Sequence, residues 1–128
     1  MIVLDTHAWL WWVGGDRPLS SVARTAIESN DEVGISTMAV WEAATLVRKG
    51  RIRLDPDVKR WVSKALAADG IVRLTLTPEI ALAAGSVADP FPGDPADRII
   101  YATAVATGSN LVTADRRIAT FDPALVIW

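Results

Sequence analysis

Short apolar runs alternate along the chain with segments whose apolar residues recur at helical spacing. The runs predict strands at 2–4, 33–36, 71–76, 111–112 and 125–128. Helices are predicted at 6–13, 20–29, 37–49, 56–68, 78–87 and 95–107, with a short helix after Asp115. This alternation is typical of an α/β domain built on a mainly parallel sheet of about five short strands. We expect residues 1–128 to form a single domain.

Several helix boundaries carry recognisable signals. A capping residue followed by proline predicts three helix starts, at Asp55-Pro56, Thr77-Pro78 and Asp94-Pro95. The helix predicted after Asp55 has a buried stripe at positions 58, 61, 62, 65 and 66. Gly50 is expected to end the helix that begins at Thr37.

Two acidic residues follow predicted strands directly. Asp5 ends the first strand, and Asp115 follows the run at 111–114. In parallel α/β sheets, ligands bind beyond the carboxyl ends of the strands, which makes both positions favourable for catalysis. Each could instead be the cap of the following helix, and the sequence leaves the two interpretations open.

Glu42 lies in a predicted helix that is otherwise apolar over most of its length. From Met38 to Val47, the only polar residues are Glu42 and Thr45. A carboxylate among apolar residues is rarely buried unless it is paired or bound to metal. The alternative is a narrow solvent-facing stripe of Glu42, Thr45 and Lys49.

Asp97 is predicted to head the buried stripe of its helix, near the strand ends. Apolar residues follow it at helical spacing, namely Ile100, Tyr101, Ala104 and Val105. Asp94 is explained by capping together with an ion pair to Arg98 four residues later. A supporting role for Asp94 in a metal site is the lesser alternative.

The four acids Asp5, Glu42, Asp97 and Asp115 are predicted to meet at one edge of the sheet. Two carboxylates about 4 Å apart repel by roughly 4 kcal/mol at an effective dielectric constant of 20. Such a cluster requires bound divalent cations or shared protons. The chain has no cysteine and one histidine, so a metal site must consist mainly of carboxylates, which suits Mg²⁺ or Mn²⁺. The matching chemistry is hydrolysis of a phosphodiester bond.

Four segments of the chain resemble PIN-domain ribonucleases of the VapC toxin type. They read Val-Leu-Asp-Thr-His-Ala-Trp-Leu-Trp-Trp, Ile-Ser-Thr-Met-Ala-Val-Trp-Glu-Ala, Asp-Pro-Ala-Asp-Arg-Ile-Ile-Tyr-Ala-Thr-Ala and Leu-Val-Thr-Ala-Asp. Each segment carries one of the four acids, and the segments follow one another in order over the whole chain. The resemblance implies a three-layer α/β/α PIN-like fold.

The resemblance also implies a function. PIN-domain toxins of this type are magnesium- or manganese-dependent endoribonucleases, are neutralised by a cognate antitoxin and are often homodimers. The four acids match the positions that bind metal and carry catalysis in the family. The resemblance places a supporting hydroxyl at Thr113, whose alternative is a turn hydroxyl. Thr6, beside Asp5, is a second supporting hydroxyl.

Several other residues are candidates for contacts with substrate or partner. Arg116 and Arg117 adjoin Asp115 and are candidates for phosphate binding, and His7 for a contact with substrate or with a ligand carboxylate. The alternative for His7 is a purely structural role. Seven basic residues crowd positions 48–64, where they form either a track for RNA phosphates or a solvated face. Trp9 and Trp12 are expected to pack inward, which leaves Trp11 to anchor a partner.

Charge and hydropathy add little to this picture. Thirteen basic and fifteen acidic residues give a formal charge of −2, so overall charge does not predict nucleic-acid binding. The chain shows neither a membrane span nor a signal peptide, and we expect a cytoplasmic protein.

Three competing functions remain. A receiver-like phosphoacceptor module needs a lysine near a late strand end, whereas the lysines here are at positions 49, 59 and 64. A binding module that has lost its chemistry conflicts with an intact set of acids. A structure-specific DNA nuclease stays open, because carboxylates alone do not distinguish RNA from DNA.

Overall fold

Five parallel strands form one sheet in the computed structural model, which describes residues 1–128. The strands are β1 (Ile2–Leu4), β2 (Val33–Ser36), β3 (Ile71–Leu74), β4 (Asn110–Val112) and β5 (Val126–Ile127). Their order across the sheet is β3-β2-β1-β4-β5. Leu4 lies beside Ile35 of β2 on one side and Val112 of β4 on the other.

Seven helices connect the strands. They are α1 (Thr6–Gly14), α2 (Ser21–Glu28), α3 (Thr37–Arg48), α4 (Val58–Leu66), α5 (Pro78–Ser86), α6 (Pro95–Ala106) and α7 (Arg116–Phe121). Every residue of β1 and β2 is buried, so both faces of the sheet are covered. The result is the expected three-layer α/β/α fold. None of the helices combines the length and the apolar character that crossing a bilayer requires.

The strand order places a topological switch point at the centre of the sheet. The chain moves from β1 outward to β2 and β3, then returns to β4 on the other side of β1 and continues to β5. At such a point the connections after two adjacent strands diverge and leave a crevice beyond the carboxyl ends. The crevice here lies between the ends of β1 and β4.

The core packs around the central strands and one fully buried tryptophan. Trp9 on α1 has no exposed surface and meets the ring of Trp61 on α4 edge to face, with 5.1 Å between ring centroids. The inward packing of Trp9 is thereby confirmed. Gly34 leaves room for the Leu74 side chain beside β2, because an added Cβ would lie 2.6 Å from Leu74 Cδ1 and force that side chain to move.

Two predicted boundaries are wrong in detail. Helix α4 is capped by Asp57, whose Oδ1 accepts from the amide of Arg60 at 2.9 Å, and not by Asp55. The buried stripe begins right after Asp57, so packing rather than the Asp55-Pro56 signal sets the start of the helix. Strand β3 ends at Leu74, two residues earlier than predicted. Val105 on α6, assigned to the buried stripe, is 51% exposed.

The predicted ion pair between Asp94 and Arg98 is also absent. Arg98 instead turns toward the loop before α6 and donates to three backbone carbonyls, those of Ala84, Val87 and Pro92. Its guanidinium carbon also lies 5.7 Å from the centroid of the Phe91 ring. Arg98 therefore fastens α5 and the following loop to α6, which carries Asp97.

We expect Arg98→Lys to lower the free energy of unfolding by about 2 kcal/mol, because a lysine cannot make the forked contacts of a guanidinium. Arg51→Lys is the matched control, since Arg51 is exposed and its side chain makes no hydrogen bond. Urea unfolding of both variants measures the difference. Equal midpoints for the two variants would show that the three carbonyl contacts contribute nothing to stability.

Candidate active site at the carboxyl edge of the sheet

The crevice between β1 and β4 opens into a cleft of about 480 Å³. It is lined by ten residues, Asp5, Thr6, His7, Trp11, Glu42, Asp94, Asp97, Ala114, Asp115 and Arg117. All four acids predicted from the sequence therefore line one cleft, together with Asp94. Half of the lining residues are acidic, and Arg117 is the one Lys or Arg among them.

Asp5 caps helix α1 and lines the cleft at the same time. Its Oδ1 accepts from the amide of Ala8 at 2.8 Å. Burial raises the pKa of Asp5 above its ordinary value, although the neighbouring hydroxyl of Thr113 opposes the shift. The capping and active-site interpretations of Asp5 are therefore compatible.

Thr113 lies at the ends of the two central strands. Its side chain is buried, and its Oγ1 accepts from the amide of Asp115 at 3.1 Å. This bond is the turn contact expected of the hydroxyl, and the hydroxyl also lies near enough to Asp5 to lower the pKa of that carboxyl. Thr6 is also buried in the cleft wall, and its Oγ1 has no hydrogen-bond partner.

Glu42 reaches the cleft because α3 packs against both α1 and α6. Its side chain is half-buried and lines the cleft, so it does not belong to an open solvent-facing stripe. The negative charge of Glu42 contributes to raising the pKa values of Asp5 and Asp97. It is therefore electrostatically coupled to both.

Asp97 experiences the repulsion of the whole cluster. Burial is the largest cause that raises its pKa to about 7, and the other four acids of the cleft add to the shift. The side chain keeps 25% of its surface exposed. A cation bound among these acids would oppose this shift and favour the ionised form of Asp97.

Asp115 differs from the other acids because a cation already neutralises it. Arg117 approaches it with Nη2 at 2.7 Å from Oδ2 and Nε at 3.1 Å from Oδ1. This forked contact lowers the pKa of Asp115 below its ordinary value. The same Nη2 lies 3.9 Å from Oδ2 of Asp97.

Asp94 is explained by capping, as expected. Its Oδ1 accepts from the amides of Ala96 at 2.9 Å and Asp97 at 3.2 Å. The residue is exposed at the rim of the cleft. It can therefore contribute charge to the site without being enclosed by it.

The remaining sequence candidates divide between the cleft and the outer surface. His7 and Arg117 line the cleft, whereas Arg116 is exposed and does not. Trp11, expected at a partner surface, instead forms part of the cleft wall with its ring 5.5 Å from that of His7. The sequence signal for this placement was the position of Trp11 one turn after His7 on α1. The basic residues of 48–64 are all exposed and lie outside the cleft.

The donor set of the cleft fits a hard divalent cation. Every acidic side chain offers oxygen, the buried hydroxyl of Thr6 lacks a partner, and the charges of four neighbouring acids add to the effect of burial in raising the pKa of Asp97. The carboxylates are not drawn together into a ready-made site, because no three Asp, Glu or His side chains are placed to hold one ion. Mutual repulsion is a sufficient reason for that spread.

Comparisons with known proteins extend these observations. A family model described as the PIN domain matches residues 2–122. The ribonuclease VapC22 of Mycobacterium tuberculosis is 39% identical over 117 residues, which are 91% of this chain and 88% of that protein.

Solved structures with low sequence identity share the fold. A toxin–antitoxin complex from Klebsiella pneumoniae contains a chain with a TM-score of 0.72 and 18% identity, which covers 100% of this chain and 97% of that one. VapBC2 from Rickettsia felis, bound to a DNA fragment from its promoter, gives a TM-score of 0.70 at 15% identity, with 98% and 97% covered.

Asp97→Asn should remove a pH-dependent loss of stability from the metal-free protein. Because the folded-state pKa of about 7 exceeds the ordinary value of 3.8, the unfolded chain releases this proton first as pH rises. The contribution of Asp97 to stability is therefore complete below about pH 4 and is lost as pH rises to about 7.

In EDTA, the melting temperature of Asp97→Asn relative to the parent is expected to increase from pH 5 to pH 8, where the variant should melt no lower than the parent. Exposed Glu79, changed to Gln, is the control and should show no such trend. An Asp97→Asn variant that melts several degrees lower at pH 8 would identify Asp97 as a structural carboxylate.

Proposed function

The chain belongs to the PIN-domain family, and on that premise we propose that it is a metal-dependent endoribonuclease that acts as the toxin of a toxin–antitoxin pair. The observation that carries the proposal is the meeting of Asp5, Glu42, Asp97 and Asp115 in one cleft at the switch point of the sheet. The relative that shares 39% of its residues is a ribonuclease, and related folds occur in toxin–antitoxin complexes. Such a function would place the protein in the cytoplasm, where its RNA is.

We propose that these four acids hold Mg²⁺ or Mn²⁺, with Asp94 as a supporting charge at the rim. PIN-domain ribonucleases generally depend on divalent metal, and carboxylate oxygens favour these two cations. When bound, the cation would supply Lewis-acid stabilisation of phosphoryl charge and a more acidic water.

The other side chains of the cleft have separate tasks in this proposal. Thr113 can orient the Asp5 carboxylate from just beyond β4, and the buried hydroxyl of Thr6 has no hydrogen-bond partner within the chain. Arg117 can bind a phosphate group at the edge of the cleft. His7 and Trp11 form an aromatic wall beside the acids, where a nucleobase could stack.

The structure opposes two of the three competing functions. None of the three lysines lines the cleft, which opposes a receiver-like phosphoacceptor module. The intact acidic cleft also opposes a binding module without chemistry. A DNA nuclease has the same acids, so substrate assays must compare RNA with DNA.

Glu42→Gln and Asp5→Asn should each reduce RNA cleavage by at least two orders of magnitude, because each removes a ligand charge. The parent should cleave RNA with Mg²⁺ or Mn²⁺, leave 5′-phosphates and be inactive in EDTA. Glu79→Gln, which changes an exposed glutamate outside the cleft in the same way, should retain full activity. Asp94→Asn should keep most activity, since asparagine still caps α6. Failure of antitoxin-free parent to cleave any RNA or DNA would refute the proposal.

A cognate antitoxin should inhibit RNA cleavage in the acidic cleft. We expect it also to bind a surface outside that cleft. Helices α1 and α4 form an apolar groove of about 470 Å³, whose walls include Trp12 and Trp61 and whose rim carries Arg60 and Lys64. The charge at the rim suits an amphipathic segment that presents an apolar side chain between carboxylates. We therefore propose this groove, which α1 and part of the basic segment 48–64 line together, as a docking surface for the antitoxin. We also propose that the protein forms a homodimer.

Co-expression with the neighbouring reading frame, followed by pull-down, should recover a complex with reduced nuclease activity. The double variant Arg60→Glu and Lys64→Glu should weaken that complex by at least tenfold, because it reverses the charge at the groove. Arg48→Glu with Arg51→Glu is the matched control outside the groove and should have little effect. A chain that is harmless when expressed alone and binds no neighbouring product would contradict the toxin role.

A further inference from the structure

Arg117 makes the one ion pair that reaches the acidic cluster. Its guanidinium contacts both carboxylate oxygens of Asp115, at 2.7 and 3.1 Å, and its backbone amide donates to Oδ1 at 2.8 Å. No other Lys or Arg lies within ion-pair distance of Asp5, Glu42, Asp97 or Asp115. Both carboxylate oxygens of Asp115 are therefore engaged by Arg117 in the metal-free chain.

The position of Arg117 resembles that of a cation shared between ligands. Nη2 stands 2.7 Å from an oxygen of Asp115 and 3.9 Å from an oxygen of Asp97, so one positive charge serves two of the four acids. The Arg117 side chain is nevertheless 68% exposed. An ion pair with so much access to water is weak enough to exchange partners.

We propose that Arg117 is an internal counter-ion that competes with the divalent metal for Asp115 and thereby lowers metal affinity. This inference rests on the proposed function. In the metal-free chain, Arg117 relieves repulsion between Asp115 and Asp97, which keeps the cleft folded without a bound ion. Metal binding requires Asp115 to give up at least part of this contact. The released guanidinium then lies at the cleft edge, where it can bind an RNA phosphate.

A purely supporting role predicts the opposite effect on metal binding. If Arg117 only orients Asp115 as a ligand, its removal leaves a poorly placed carboxylate, and metal binds more weakly. If Arg117 competes, its removal frees the carboxylate, and metal binds more tightly. Metal affinity measured without RNA separates the two roles.

Arg117→Gln and Arg116→Gln form a matched pair for this measurement. Both variants remove one positive charge from the first turn of α7, but Arg116 does not line the cleft. Mn²⁺ binding to the purified full chain is measured by titration calorimetry and by electron paramagnetic resonance of the free ion. We expect Arg117→Gln to bind Mn²⁺ about three- to tenfold more tightly than the parent, and Arg116→Gln to stay within about twofold.

Melting curves give a second readout. In EDTA, Arg117→Gln should melt below the parent, because the repulsion is no longer relieved, and it should gain more than the parent on adding Mn²⁺. Arg117→Lys keeps the charge but loses the fork, so an intermediate Mn²⁺ affinity is expected. If Arg117→Gln fails to fold, the Mn²⁺ affinity of Arg117→Lys tests the proposal instead.

The outcomes separate the inference from the proposed function. Mn²⁺ binding that is unchanged or weaker in Arg117→Gln, while the parent binds, overturns the competing role and leaves the nuclease assignment intact. An equal gain in Mn²⁺ affinity in Arg116→Gln also overturns it, because the loss of one positive charge near the cleft would then explain the effect by itself. Absence of Mn²⁺ binding in the parent overturns both the inference and the metal-dependent function.

Discussion

The repulsion between carboxylates at the ends of β1 and β4 governs the functional half of this structure. Asp5 and Asp115 follow neighbouring parallel strands, so the sheet itself brings them to one edge. Helices α3 and α6 then add Glu42 and Asp97 to the same cleft. Burial and the neighbouring charges make ionisation of Asp97 unfavourable and raise its pKa to about 7. The stability of the fold must come from packing elsewhere.

That packing depends on small residues where the helices meet. Helix α3 contacts both α1 and α6, and its inward positions are the fully buried Ala39 and Ala43. Ala8 on α1 and Ala104 on α6 are also fully buried. Short side chains let helix axes approach closely, which is how a glutamate on α3 can reach acids on its neighbours. The small apolar residues of α3 therefore allow the close helix packing that brings Glu42 into the cleft.

The sequence specified regular elements better than individual contacts. Alternating apolar runs predicted all five strands, because buried parallel strands must be continuously apolar. The sequence also indicated the four acids as candidate site residues, because strand ends and apolar helical patterns are local signals. The contacts of Arg98 were beyond such reasoning, because they depend on the path of the loop between α5 and α6, which no local pattern encodes. Asp94, four residues earlier, was a plausible partner for Arg98, yet the guanidinium donates to one carbonyl of α5 and two of the loop that follows it.

The choice between helix cap and functional acid was undecidable from sequence for a physical reason. Asp5, Asp94 and Asp115 each cap a helix, and in every case the capping bonds go to Oδ1. A carboxylate has two oxygens, so capping leaves Oδ2 available for another contact. The amides at a helix N-terminus also favour negative charge, which offsets part of the repulsion inside the cluster. Capping therefore helps an acidic cleft to exist, and the same residues can satisfy the helix and face the substrate.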